Sequence, residues 1–358
     1  MKARMESRVR IIDPALDPRW DRFIQAHPQA SIYHHSLWKE VIQKSFGYKP
    51  MYFILKNERN EIIGGMPSFL VDSWITGRRL VSLSFSDYCD FLVQSEEDRC
   101  VLVKAMGETA KKYDASSVEI CLRSNDSRME QLGFKKAGVY KHHVLNISEP
   151  LEVIKEKKID KSYRYDIRKA ERSGITLVFG EDETDIKVYY ELYVGTRKYH
   201  GLPPLPYAFF RNLWENLAGS EMLWLTLAVE KSRPIAGILV VRFGNTIYAL
   251  SNSSDRNYLD RRPNHLLWWR TIEIGHEKGM NYLDFGRTVT DNTGLLAFKR
   301  NWGTLEYDIT YFKVDQEEIR NLSLRKANFK RGFVNKVCKV LPNFALKASS
   351  RILYKHLG

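Results

Sequence analysis

The chain has 358 residues, too many for one ordinary core and enough for two domains of roughly 150 residues each. A hydrophobic share of 44% with 12% aromatic residues excludes disorder over most of that length, and four widely spaced cysteines (Cys89, Cys100, Cys121, Cys338) exclude a disulfide framework or a structural zinc site. The net charge of +13 is local: from Arg320 onward there are ten Lys or Arg and no Asp or Glu, so the remaining body, with 46 basic against 43 acidic residues, carries only +3.

The charged stretch Met1–Arg10 has no apolar core and reads as no secretory signal, and an apolar run such as Ile235–Val241 is far shorter than a bilayer span. The expectation is a cytoplasmic protein, with peripheral placement at the inner face of the membrane through its tail. Met51–Leu55 predicts a strand, Lys56–Glu61 a polar turn, and Ile62–Val71 a second strand opening on Ile62-Ile63-Gly64-Gly65. Arg99–Tyr113 predicts a helix with Leu102, Ala105, Met106 and Ala110 on one face, leading into the strand Val118–Leu122 and a β-rich run at Val139–Ile147.

Beyond Pro150, Ile154–Ser173 predicts a basic helix ending at Gly174, and Asp185–Tyr199 another; the proline-rich loop His200–Pro206 cannot be helical. Leu223–Val229, the turn Glu230–Pro234 and a strand opening Ile235-Ala236-Gly237 then repeat the first half's order, with Gly244-Asn245 a hairpin signal before Thr246–Leu250. A helix from Asn264 to Lys278, stopped by Gly279, leads into Asn281–Gly286, and Thr304–Val314 closes the half. The same order met twice, with Ile-x-Gly after the same turn, predicts a duplicated α/β fold with α+β mixed sheets. The expected divisions are 1–150, 151–318 and a basic amphipathic tail at 319–358.

Two segments carry a resemblance: Ser162–Gly174, rich in Arg and Lys, and Tyr282-Leu283-Asp284-Phe285-Gly286-Arg287 followed by Leu295–Gly303. Both are similar to the FemAB-like aminoacyltransferases and the related BioF-type acetyltransferase domains, as is the entry segment Tyr33–Trp38. The resemblance spans roughly 31–314 and implies tandem GNAT-type acyltransferase domains. It also implies an N-acyltransferase that moves an aminoacyl group from aminoacyl-tRNA, or an acyl group from acyl-CoA, to an amine of a cell-wall or surface-polysaccharide precursor. The alternatives are an acyl-CoA-dependent N-acetyltransferase of polysaccharide assembly and an inactive duplicate that binds RNA or membrane. No cofactor is expected to be bound; charged tRNA or acyl-CoA is the donor, and an amine-bearing envelope precursor the acceptor. The glycine loop that holds a CoA pyrophosphate in single-domain relatives is replaced here by Tyr258–Pro263.

Amine attack on an ester or thioester needs a deprotonated nucleophile, charge stabilisation for the oxyanion and positioned substrates, and no nucleophilic side chain. By resemblance Lys299 neutralises the oxyanion at the acceptor end of the donor tRNA, with Phe298 beside it; otherwise it is a surface lysine next to Arg300. Lys161, Arg164, Arg168 and Arg172 share one helix face and suit phosphates, with Lys169 in the same motif; a solvated face is the plain alternative. Asp284, Gly286 and Arg287 end a predicted buried strand, where ligands collect. Asn264 and His265 open the preceding helix, and His265 is a candidate base. Asp87 is a candidate for orienting the amine, with Tyr88 in the same loop, and Tyr199 and His200 are candidates for lining a cleft. The pairs His34-His35 and His142-His143 lack a third ligand at metal spacing, and no metal site is expected. In the tail, Phe333, Val337, Val340 and Phe344 recur among basic residues, suiting an anionic membrane surface, RNA, or packing on the second domain; 320–358 is the expected membrane contact.

Overall fold

The computed structural model describes residues 8–82, 84–124, 126–315 and 331–357, so the tail at 319–330 and the side chain of Phe333 lie outside the described residues. The strands are β1 (Val9–Ile12), β2 (Lys49–Pro50), β3 (Tyr52–Lys56), β4 (Ile62–Met66), β5 (Phe69–Val71), β6 (Arg79–Val81), β7 (Ser117–Leu122), β8 (Lys135–Asn146), β9 (Thr176–Phe179), β10 (Leu223–Glu230), β11 (Arg233–Phe243), β12 (Thr246–Ser254), β13 (Tyr282–Val289) and β14 (Leu305–Asp315). Two compact units emerge. One takes described residues 8–140, 308–315 and 353–357, and the other takes 141–307 and 331–352.

In the first unit β1, β3 and β4 form an antiparallel sheet of their own, while β2, β5, β6, β7 and the end of β14 follow one another in a second. The predicted strand Ile62–Val71 is therefore split: Pro67 offers no amide to a ladder, β4 stops at Met66, and β5 pairs with β2 and β6 instead. The crossover helix Glu96–Lys112 starts three residues earlier than its apolar face suggests, because the Ser95 hydroxyl accepts from the Asp98 amide (3.1 Å) over a first turn of acids. Residues 308–315 of β14 join this unit because Thr310–Asp315 pair antiparallel with Leu122–Ser117 of β7.

In the second unit the strand order is β8-β13-β12-β11-β10-β9, with β9 to β12 antiparallel and β12 to β13 parallel. The helix Pro263–Glu277 makes the crossover and ends where Gly279 takes φ +68°. Its apolar face, with Leu267 and Ile272, packs with Ile238, Ile247 and Leu283 into a core that excludes water. The expected helix Ile154–Ser173 is broken: a turn of α-helix and a π-turn end at Lys158, and a new helix, Lys161–Glu171, starts under Asp160, whose carboxylate accepts from the Ser162 amide at 2.8 Å. Tyr207–Leu217 is helical too, burying Phe209, Phe210, Leu213 and Leu217.

Candidate active site

β12 and β13 run parallel only briefly. Thr246, Ile247 and Tyr248 pair with Tyr282, Leu283 and Asp284, after which β12 continues to Ser254 and β13 to Val289 and the strands part. Parallel strands that part leave facing backbone groups outside the ladder, a natural place for a ligand's own polar groups. Asp284 sits at the fork. Two residues on, Gly286 turns β13 with φ +72°, a conformation an L side chain resists.

Asp284 is 2% exposed, and its Oδ1 accepts from Gly286 N at 2.7 Å and from His142 Nε2 at 2.8 Å. Burial works to raise this carboxyl, but the His142 charge, the bonds from His142 and Gly286 and the Lys299 charge outweigh it and hold the group below the ordinary carboxylate value. Lys299, on the helix Thr293–Arg300, is 5% exposed and donates from Nζ to Gly286 O (2.8 Å) and Arg287 O (3.4 Å). An ammonium ion is thus held in the interior directly behind the left-handed turn, rather than on the surface beside Arg300. His142 and His143, neighbours on β8, point to opposite sides as strand residues must. His143 Nδ1 meets Thr304 Oγ1 at 3.0 Å, and that hydroxyl donates to Lys299 O at 3.0 Å. Burial, then the Lys299 charge, lowers His143 to about 4, so this histidine stays neutral.

Next to this cluster the helix Pro263–Glu277 brings His265 against Tyr163 (ring centroids 4.6 Å apart, edge-on), with Phe298 and Trp302 around them. Trp268 stacks on Phe285 at 4.1 Å and 3°, which ties the helix to β13. His265 Nε2 lies 3.5 Å from Asp166 Oδ2, yet neither ring nitrogen makes a hydrogen bond. Burial lowers His265 to about 4 against the pull of Asp166. Further buried polar atoms in the surrounding elements have no hydrogen-bond partner, among them Asn264 Oδ1, Trp268 Nε1, Thr288 Oγ1 and Trp302 Nε1. Unsatisfied buried groups are rare, and those on the helix Pro263–Glu277 and on β13 are polar atoms that a ligand could partner.

The helix Lys161–Glu171 buries Ile167 and Ala170 and leaves Lys161, Arg168, Lys169 and Arg172 exposed. Arg164 is already engaged, donating to Glu156 O at 3.0 Å and to the Glu156 carboxylate. Asp166 faces the start of the helix Pro263–Glu277, where Arg262 (φ +58°) forms an ion pair with it, Nε to Oδ1 at 3.1 Å.

Of the residues picked from sequence, Lys299, Asp284, Gly286, Arg287, Phe298, Asn264 and His265 border the fork or the aromatic group beside it. Tyr199 and His200 stand apart at the exposed end of the helix Glu183–Tyr199, where Arg256 lies 3.6 Å over the Tyr199 ring. Asp87 and Tyr88 belong to the first unit: Tyr33 OH donates to Asp87 Oδ2 at 3.3 Å, and the Tyr88 ring, 1% exposed, is covered by Arg123 at 4.5 Å. Residues that sequence reasoning missed are His142, Tyr163, Asp166 and Thr288. The helix-face spacing of Tyr163 and Asp166 is visible in the sequence, whereas nothing local marks His142 as the partner of a residue 142 positions away. Among the described residues no group of three or more His, Cys, Asp or Glu is placed to hold a metal, and no helix is long and apolar enough to cross a membrane.

The family described as "Acetyltransferase (GNAT) domain" matches residues 157–300. The lipid II:glycine glycyltransferase of Staphylococcus epidermidis is 37% identical over 86 residues, which is 21% of this chain and 21% of that protein. The match thus spans about a fifth of the length of this curated relative. Among solved structures, FemX superposes with a TM-score of 0.71 at 17% identity, over 87% of this chain and 98% of that one. A tandem GNAT protein from the clavulanic acid biosynthesis pathway gives 0.56 at 12% identity, over 86% and 98%. The fold is mixed α/β of the tandem GNAT type.

Proposed function

We propose that this chain, which has the tandem GNAT fold and is similar to a lipid II:glycine glycyltransferase over 86 residues, is an N-acyltransferase carrying an aminoacyl group from aminoacyl-tRNA to an amine of a cell-wall or surface-polysaccharide precursor. The observation that carries this reading is the buried Lys299 ammonium behind the Gly286 turn, where β12 and β13 leave their shared ladder. In the reaction the amine attacks the ester carbonyl and an amide C–N bond forms. The ester C–O bond breaks, and the ribose oxygen takes the proton that the amine loses. The tetrahedral intermediate carries an oxyanion, and a preorganised positive charge in a dry site is the largest single aid to it. Lys299 supplies that charge, and Asp284 with His142 fixes the turn that Lys299 holds. His265, neutral and without a hydrogen bond, is placed to relay the proton.

The helix start that would receive a CoA pyrophosphate supports an ester donor. It has Pro263 without an amide hydrogen and no glycine loop, so it offers a diphosphate fewer backbone amides than a glycine-loop helix start would. The exposed Arg168, Lys169 and Arg172 suit the phosphates of a tRNA arm. The acceptor's lipid anchor places the protein peripherally at the inner face of the membrane, through its basic tail.

The deciding assay gives the purified protein total tRNA charged with labelled amino acids, or labelled acetyl-CoA, together with an amine-bearing lipid-linked precursor. Transfer from tRNA and none from acetyl-CoA is the expected result. Transfer from acetyl-CoA alone reverses the donor, and transfer from neither donor leaves the inactive binding duplicate. Mass spectrometry of envelope precursors with and without the gene then identifies the added residue.

A further inference from the structure

The C-terminal helices Arg331–Val340 and Asn343–Leu357 are amphipathic in an unusual way. One face is docked: Cys338 and Leu346 are buried, Lys347 pairs with Glu191 at 2.5 Å, and the backbone of Asn335 lies so close to Gly201 that a Cβ there would meet its carbonyl oxygen at 2.7 Å. On the other face, around the break at Pro342, Val340 is 83% exposed, Phe344 76% and Val337 37%. Lys339 is exposed among them, and its charge reaches His200, where Tyr199 and Arg256 stack. Docking therefore does not account for these apolar side chains, and no acidic residue follows Arg320 in the sequence to neutralise their cationic surroundings.

We infer that the face formed by Val337, Lys339, Val340 and Phe344, with Tyr199 and Arg256 at its margin, rests on an anionic lipid bilayer. The inference rests on the peripheral placement proposed above and specifies the surface that makes it. Aliphatic and phenyl side chains enter the headgroup–acyl boundary, the cations meet anionic headgroups, and a tyrosine sits at the interface between them. Single-stranded nucleic acid would be met by successive stacking rings, whereas Val337 and Val340 at this face are aliphatic and suit acyl chains.

The test is co-sedimentation of the full chain with vesicles of phosphatidylcholine alone or with a third phosphatidylglycerol, with no donor or acceptor present, so that it reads binding whatever the transfer assay gives. Sedimentation with the anionic vesicles and not the neutral ones is expected. The V340D/F344D double variant should bind about tenfold more weakly at unchanged melting temperature, and Lys339→Gln about fivefold more weakly. A wild type that stays in the supernatant overturns the proposal, as does a double variant that sediments like the wild type. An equal loss of binding to RNA in both variants, with RNA displacing the protein from vesicles, assigns the face to nucleic acid instead. Should the double variant melt early, K339Q with Arg256→Gln carries the test alone.

Discussion

Each half of the molecule carries a buried carboxylate at the third step of its short parallel ladder, and the two are treated differently. In the first half Arg79, Leu80 and Val81 of β6 pair with Ser117, Val118 and Glu119 of β7; in the second, Thr246, Ile247 and Tyr248 pair with Tyr282, Leu283 and Asp284. Glu119 is saturated: it accepts from Arg79 (3.1 Å), from Ser117 (3.0 Å) and from the Tyr311 hydroxyl, and Lys313 stands 3.9 Å away. β6 ends there, at Val81. Asp284 instead holds a histidine and a left-handed turn, beside a lysine, at strands that continue and part. The same fold position is a structural lock in one half and the floor of a candidate site in the other. What separates them is the set of side chains that neighbouring strands deliver.

That contrast can be broken most sharply at Lys299. Lys299→Met should reduce transfer by about 10²-fold or more in a single-turnover assay, because the oxyanion loses a preorganised charge. Glu119→Gln should leave turnover within about twofold and lower stability by about 1–3 kcal/mol in urea unfolding, since it removes the charge that pairs with the half-buried Arg79 guanidinium. If Glu119→Gln abolished transfer in a fully folded protein, the division of roles would be wrong.

The repeated hairpin offers a second contrast. Gly65 lies under Trp20 and Gly237 under Tyr189, so that an added Cβ would meet the Trp20 ring at 2.5 Å and Phe53 O at 2.8 Å in one case, and the Tyr189 ring at 2.7 Å in the other. Backbone yields less than a ring, so Gly65→Ala should cost more than Gly237→Ala, at about 1–3 kcal/mol by thermal melting. Acid should destabilise both halves. His34 in the first and His143 and His265 in the second are lowered to about 4 by burial, and each stays neutral in the fold while the unfolded chain binds a proton below its ordinary value near 6.5. The stability they contribute is full above pH 6.5 and declines as pH falls toward 4, so the melting temperature should drop across that window, less steeply in His34→Gln. The smallest effect belongs to the exposed cations: Arg168→Gln with Arg172→Gln should weaken charged-tRNA binding several-fold and flatten its salt dependence by about two phosphate contacts.

Much of the second half was legible because its signals are local. The turn Glu230–Pro234, the Gly244-Asn245 hairpin and the stop at Gly279 each depend on residues within one turn of each other, and the strands and helix they delimit stand within a few residues of expectation. Local reading failed where two signals competed. Asp160 interrupts an otherwise helical basic run, and Pro67 divides an apolar one. The helix Tyr207–Leu217 follows a proline-rich loop whose end, Pro206, serves as its N-cap. At the site, Lys299, Asp284 and Gly286 stood out through a family pattern, but the sequence held no sign of what they touch.

By itself the sequence determined the duplicated order of strands and crossover helices, the glycine turns and the concentration of positive charge at the C-terminus. These follow from hydrophobic period, capping and composition, which act over a few residues. Only the tertiary structure decided that β14 would complete the first unit's sheet, that His142 would hold Asp284, and that Lys299 would turn inward to the carbonyls of Gly286 and Arg287. Those pairings join residues far apart in the chain. Their chemistry is set by burial and by which strand lies alongside, and no local pattern encodes either.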